Sequence, residues 1–346
     1  MKVFSFVVSS VLILILLPGV CFGQSKTEQL LTPEQIIFTE SLISDVRFSP
    51  DGQRILMAVA EPKQYPSPAT SHIWELQTGS RQLRQLTNTP KAEVYPRWAP
   101  DGSRLAYIST VEGTAQIYLL PAGGGEAVRL TDGKRPSGRF AWSPDGKQIA
   151  FFSVEPAPTQ AGADKRKEDD PIVLVTGREE KPNQRLRRLW LIDIATKEAR
   201  QLVTGEWDFS EIDWMPDGTG LIVTAKDHPE SSKAKWRIYS VSLAANSMKL
   251  LAEPIGDPFQ IKVSPDGKRL GFVARQTPGA NHKDLFIQSF AGGPTQNLTA
   301  TSIDRNVTSF LWLNDRTIMT SSETGFGSSL HRVRTDGKAE KVAAIN

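Results

Sequence analysis

The densest run of ionisable side chains in the chain is Asp164-Lys-Arg-Lys-Glu-Asp-Asp170. Its three adjacent carboxylates, Glu168, Asp169 and Asp170, could accept charge-assisted hydrogen bonds from a cation such as a peptide amine. A solvated surface loop would carry the same composition. Four aromatic residues expected on the same side of the molecule, Tyr95, Trp207, Phe209 and Phe259, could pack against the rest of such a ligand. Other chemistries lack their residue types. The histidines His72, His228, His282 and His331 are dispersed, and the only cysteine is Cys21. The expectation is therefore no metal site, no cofactor and no catalytic residue. Asn297-Leu-Thr and Asn306-Val-Thr match the N-glycosylation pattern, which is short enough to arise by chance.

The elements that must position these residues are written in a repeat. Phe48-Ser-Pro-Asp-Gly52 recurs as Trp98-Ala-Pro-Asp-Gly102, Trp142-Ser-Pro-Asp-Gly146, Trp214-Met-Pro-Asp-Gly218 and Val263-Ser-Pro-Asp-Gly267. A worn sixth copy reads Trp312-Leu-Asn-Asp315, and successive aspartates lie 50, 44, 72, 49 and 49 residues apart. A fixed period in this range, with short apolar runs between the marks, predicts a β-propeller. One unit shows the plan: Tyr95–Trp98, Leu105–Ser109, Gln116–Leu120 and Ala127–Thr131 read as four antiparallel strands. Pro, Asp and Gly supply the first hairpin turn, so the repeated aspartate reads as a turn residue and not a metal ligand. The aromatic residue before each turn reads as a wedge between neighbouring blades.

The fold expected is all-β, six four-stranded antiparallel blades over residues 44–346, with seven blades or an open, incomplete ring as the alternative. The blades fall at about 44–88, 94–132, 138–204, 210–253, 259–300 and 307–344. The 72-residue spacing marks an insertion at 155–185, between the second and third strands of blade three, and this holds the acidic run. All Pro-Asp-Gly turns should share one face. The insertion and the blade connections should share the other, where a ligand would bind.

Residues 1–23 read as a secretory signal peptide. Lys2 precedes an apolar run from Val3 to Leu17, and Cys21-Phe22-Gly23 offers a cleavage site before Gln24. A retained membrane anchor and a lipid-modified Cys21 are the competing readings. Residues 24–43 form a lead-in. Export to the periplasm or beyond, with no stable anchor after cleavage, is the expectation. Without Lys2, 40 basic residues face 38 acidic ones, which gives no electrostatic case for a nucleic-acid partner.

The stretch from Tyr95-Pro-Arg-Trp98 to Leu130-Thr-Asp-Gly133, followed by Trp142-Ser-Pro-Asp-Gly146, resembles the amino-terminal propeller of prolyl-oligopeptidase-family serine peptidases, in particular the acylaminoacyl-peptidase and dipeptidyl-peptidase branches. Lys167-Glu-Asp-Asp-Pro171 and Leu189–Leu202 strengthen the likeness, as does the opening Leu31-Thr-Pro-Glu-Gln. The Pro-Asp-Gly marks by themselves are shared with TolB-like and, more loosely, WD-repeat propellers. The resemblance implies a gating, substrate-selecting module beside an α/β-hydrolase domain with a Ser-Asp-His triad. This sequence contains no Gly-x-Ser-x-Gly elbow, and Gly325-Phe-Gly-Ser-Ser329 puts glycine in the serine's place. The expectation is thus a non-catalytic propeller that binds a peptide or protein partner, with a separate hydrolase domain among the candidate partners. A truncated or split peptidase fragment, a TolB-like envelope scaffold, and a propeller lyase or cyclase are the alternatives.

Overall fold

The computed structural model describes residues 7–8, 42–61, 70–134, 137–154, 186–227, 229, 234–277, 282–325 and 327–345. Apart from a leading pair of residues, β1 (Val7–Val8), the described residues form six four-stranded antiparallel sheets arranged as the blades of a propeller. Blade one is β2 (Leu42–Phe48), β3 (Arg54–Glu61), β4 (Thr70–Gln77) and β5 (Leu83–Gln85). Blade two is β6 (Glu93–Trp98), β7 (Arg104–Ser109), β8 (Gln116–Pro121) and β9 (Val128–Arg129). Blade three is β10 (Ser137–Trp142), β11 (Gln148–Val154), β12 (Arg187–Asp193) and β13 (Ala199–Gln201). Blade four is β14 (Trp207–Trp214), β15 (Gly220–Asp227), β16 (Arg237–Ser242) and β17 (Ser247–Ala252). Blade five is β18 (Ile255–Val263), β19 (Arg269–Arg275), β20 (Lys283–Ser289) and β21 (Gln296–Asn297). Blade six is β22 (Val307–Asn314), β23 (Thr317–Thr324), β24 (Gly327–Arg334) and β25 (Ala339–Ile345).

First strands of consecutive blades touch one another, which places them innermost, and the short fourth strands lie at the exposed rim. The Pro-Asp-Gly turns form as the residue types require. Each aspartate Oδ1 accepts the N–H two residues on, at 2.9–3.1 Å. Each glycine takes a φ between 68° and 74°, a region closed to most side chains. In blades one, three and five the serine before the proline donates its hydroxyl to the same carboxylate. In the worn sixth copy Asn314 Oδ1 does this work, accepting from Arg316 N–H at 2.9 Å. The turns gather on one face: Gly102 lies against Pro50 of the preceding blade, Gly146 against Pro100 and Gly267 against Pro216.

The Leu-Thr pairs that close a blade also have a role. Thr87, Thr131 and Thr299 accept the N–H of Ile73, Ile117 and Leu285 on the third strand at 2.9–3.1 Å. The chain therefore turns inward early, and the fourth strand of blade two is two residues long where the sequence predicts five.

Packing occurs between blades. Leu56 and Ile73 meet Trp98 and Tyr107 across junction one–two, and Ala106 and Ile117 meet Phe140 and Phe151 across two–three. Phe152 and Leu189 meet Phe209 and Val223 across three–four, Ile222 and Ile238 meet Leu270 and Phe272 across four–five, and Val273 and Leu285 meet Phe310 and Val333 across five–six. Among the described residues no such cluster spans blades six and one. There Phe48, Ile55 and Trp74, on the face of blade one turned away from blade two, are only partly buried. Within the stretch read as a signal peptide, β1 pairs with the inner edge of β2 (Val7 opposite Arg47, Val8 opposite Val46) and touches β22. An extended apolar dipeptide there covers backbone groups that β2 otherwise leaves at a sheet edge.

Candidate functional site

The wedge reading of the pre-turn aromatics holds for their rings but omits their polar half. Trp142 Nε1 donates to the Arg97 carbonyl at 3.2 Å, Trp214 Nε1 to Ala141 at 3.0 Å, and Trp312 Nε1 to Lys262 at 3.2 Å. Each indole thus latches its blade to the inner strand of the preceding one. Trp98 Nε1 is buried with no hydrogen-bond partner, and its ring instead lies 4.3 Å from the Arg54 guanidinium carbon. The Phe48 ring carries no N–H, so position 48 makes no indole latch.

In all six blades the first strand slips register just before this aromatic position, a bulge that re-aims side chains toward the axis. Three bulge residues are not glycine yet take positive φ: Asp45 at 52°, Tyr95 at 59° and Gln260 at 52°. Such conformations cost of order 1 kcal/mol or more and gather where function constrains the backbone.

The re-aimed side chains form a polar belt. Asp45 binds Arg47 of its own strand at 2.6 Å and Arg97 of blade two at 2.8 Å. The Arg97 guanidinium carbon lies 3.5 Å from the centre of the Tyr95 ring. Arg139 pairs with Glu211 across blades three and four. Lys262 Nζ reaches Asp213 at 2.7 Å across blades five and four, and Gln260 accepts the Phe310 N–H at 3.2 Å. Charge is distributed unevenly: blades one to three supply three arginines against Asp45, and blades four and five supply Glu211 and Asp213 against Lys262. Burial, followed by the fields of Arg97 and Arg139, pulls Arg47 down to a pKa of about 10.

A second concavity, a cleft of about 420 Å³, opens between blades two and three. Phe151, Trp190 and Ile192 line its apolar side, and Arg129, Asp132 and Lys197 supply charge. Ser153 also lines it, one residue before the end of β11, from which the chain departs into the 155–185 insertion.

The candidates singled out by sequence are dispersed. Tyr95 belongs to the axial belt and packs edge-on against Phe140 at 5.3 Å. Trp207 opens β14, half-buried, with its ring 5.3 Å from Tyr239. Phe209 is 0% exposed and stacks on Phe152 inside junction three–four, so it serves as core and offers no surface to a ligand. Phe259 is partly buried in the five–six core with Lys283 Nζ 4.8 Å from its ring. Glu168, Asp169 and Asp170 lie outside the described residues.

The glycosylation-pattern asparagines have structural employment. Asn297 donates to Asp284 at 2.9 Å, and Asn306 accepts the Lys283 N–H at 2.9 Å. His72 meets the buried Glu93 at 2.9 Å and His282 meets Asp284 at 3.3 Å, while His228 is outside the described residues. Among the described residues no three His, Cys, Asp or Glu side chains come together as a metal site. Gly325-Phe-Gly-Ser-Ser329 falls at the hairpin between β23 and β24, with Ser329 buried.

The belt's charged members stand one and three residues before the repeated pre-turn position, aromatic except at Val263, a spacing visible in sequence. Without the bulge, however, those side chains cannot be assigned to the axis.

A family model for the TolB β-propeller domain matches residues 32–184. Dipeptidyl-peptidase 5 of Porphyromonas endodontalis is 23% identical over 282 residues, 80% of this chain and 36% of that protein, so the chain spans about a third of that relative's length. The acylaminoacyl peptidase of Pyrococcus horikoshii superposes with a TM-score of 0.64 at 17% identity, covering 90% of this chain and 47% of that one. The propeller domain of the Trilobed protease of Pyrococcus furiosus, described as having an open velcro topology, superposes with a TM-score of 0.60 at 16% identity, covering 88% and 84%. At these identities the superpositions speak for the fold alone. Together with the blade order and the Pro-Asp-Gly turns they show a six-bladed β-propeller whose residues 32–184 are similar to the TolB β-propeller domain and whose sequence is similar to part of a dipeptidyl-peptidase.

Proposed function

We propose that the protein is exported and that its propeller binds a peptide or protein partner without itself carrying out chemistry. The observation that carries this reading is the axial belt: charged side chains aimed inward by bulged, left-handed residues on a scaffold related to peptidase propellers. The acidic triplet Glu168, Asp169 and Asp170 supplies a second contact, for a peptide amine, on the variable-loop face. The test is calorimetric titration of the purified protein with the free-amine peptide Ala-Ala-Phe-Ala amide. Changing all three acids to Ala should leave the melting temperature unchanged and remove binding that depends on the free amine. Unaltered affinity in the triple variant would sink the triplet's role, and absence of any peptide binding would sink the reading itself. Amino-terminal sequencing of the native protein tests export, with Gln24 expected as the first residue.

A second reading is that the chain is the amino-terminal part of an exported serine peptidase. The share of the relatives that it spans, 36% of one and 47% of another, favours this. An immunoblot of the source organism separates the two. A band near or somewhat below 38.2 kDa, the mass of this chain, supports the self-sufficient propeller. A band at about twice that mass or more supports the peptidase. A TolB-like envelope scaffold would instead be recovered bound to envelope proteins.

A further inference from the structure

The cationic arc of the belt has more positive charge than its own structure uses. Arg47, Arg97 and Arg139 come from the first strands of three consecutive blades, and a single carboxylate, Asp45, serves two of them. Arg139 is paired with Glu211 yet its side chain stays 55% exposed, so one side of the arc faces solvent. Asp45, Arg47 and Arg97 are each about one-fifth open. Tyr95 lies under the Arg97 guanidinium and fixes its plane, leaving an edge to present. Burial opposes the charge on Arg97, but Tyr95 and Asp45 hold its pKa above the ordinary arginine value. Arg47 is in the opposite position, its charge made costly by burial and by two like neighbours. An arriving anion would relieve that repulsion, and a guanidinium edge matches a carboxylate in shape as well as charge. The neighbouring backbone is also suited to peptide, because β1 shows that the inner edge of β2 at Val46–Arg47 accepts extended chain.

We propose that Arg47, Arg97 and Arg139 form an axial site for the carboxylate of a peptide, either its C-terminus or an acidic side chain. This rests on the peptide-binding reading and gives it a polarity.

Three probes test it by calorimetry on the protein as purified from cells: acetyl-Ala-Ala-Phe-Ala as the free acid, the same peptide as its amide, and acetyl-Ala-Glu-Phe-Ala amide. The free acid should bind at least about tenfold more tightly than the amide, with the preference shrinking as salt is raised. Parity of the glutamyl peptide with the free acid identifies a site for any carboxylate, and parity with the amide identifies a C-terminus site. Arg47→Gln should erase the preference while keeping the fold, because Asp45 retains Arg97 at 2.8 Å. Should Arg47→Gln fail to fold, Arg47→Lys keeps the charge without the planar fork and should lose most of the preference. Equal binding of acid and amide, or an Arg47→Gln preference equal to wild type, overturns this site while leaving peptide binding intact. Silence from all three probes overturns this site, and silence from the free-amine peptide as well overturns the peptide-binding reading.

Discussion

The indole latches allow a test in which one substitution changes the sign of its polar term with position. Trp214→Phe and Trp98→Phe remove the same atoms from equivalent places in two blade junctions, so the loss of ring volume largely cancels between them. Their hydrogen bonding differs. At position 214 the change removes the bond that the Ala141 carbonyl accepts from Nε1 at 3.0 Å, beside its ladder pairing with Ala150, a loss of about 0.5–1.5 kcal/mol. At position 98 the change deletes a buried N–H that has no partner, relieving a penalty of about 1–3 kcal/mol. Trp98→Phe should therefore be more stable than Trp214→Phe by about 2–4 kcal/mol. For a chain this long, that is a gap in melting temperature of order 5–10 °C. Urea titration followed by far-ultraviolet circular dichroism reads the gap directly, provided the denaturant slopes agree. If Trp98→Phe costs as much as Trp214→Phe, ring packing dominates and the latch contributes little.

Other perturbations follow from the same geometry. A Cβ at Gly271 would lie 2.8 Å from the Phe310 ring, so Gly271→Ala should overpack junction five–six by about 1–3 kcal/mol, seen as a lowered melting temperature; no change would mean the ring moves aside freely. Thr299 Oγ1 donates to the fully buried Asp284 at 2.8 Å and accepts the Leu285 N–H, so Thr299→Val should cost about 2–4 kcal/mol by denaturant titration, clearly more than Thr308→Val at a partly buried site. The Ser49 hydroxyl holds Asp51 below its usual 3.8, Ser143 does so for Asp145, and the N–H groups of Ser103 and Thr219 do so for Asp101 and Asp217. A depressed carboxylate pKa stabilises the fold above the unfolded value and ceases to as pH falls through the folded one. Changing all four to Asn should thus lower the melting temperature at pH 7 and matter progressively less between pH 4 and pH 3, and a gap that stays constant across that range would refute the assignment.

The architecture was legible because it is built from local chemistry. Proline presets φ, aspartate caps the next amides and glycine takes the left-handed step, so each turn is specified within five residues. The apolar alternation that follows fixes which face each strand buries. The site was far less legible. Phe209 looks like an exposed aromatic beside a blade junction, but its burial depends on Phe152, 57 positions earlier in sequence. Arg97 and Asp45 are bonded across 52 residues, and their meeting depends on bulges at Asp45 and Tyr95 that no residue type announces. Asparagine, aspartate and glycine commonly signal left-handed backbone, but tyrosine does not. The threonine that closes a blade was visible as a repeated letter, but its bond to the third strand was not.

Among the described residues five junctions carry a hydrophobic cluster and the sixth does not. A ring closes only if the rotations from blade to blade add up to a full turn. A wedge that tilts its neighbour by a small angle passes that tilt to every later blade, and the errors accumulate at the place least able to resist them. The interval between blades six and one therefore acts as the vernier of the ring, where a slight repacking anywhere around the circle is displayed as a gap or an overlap.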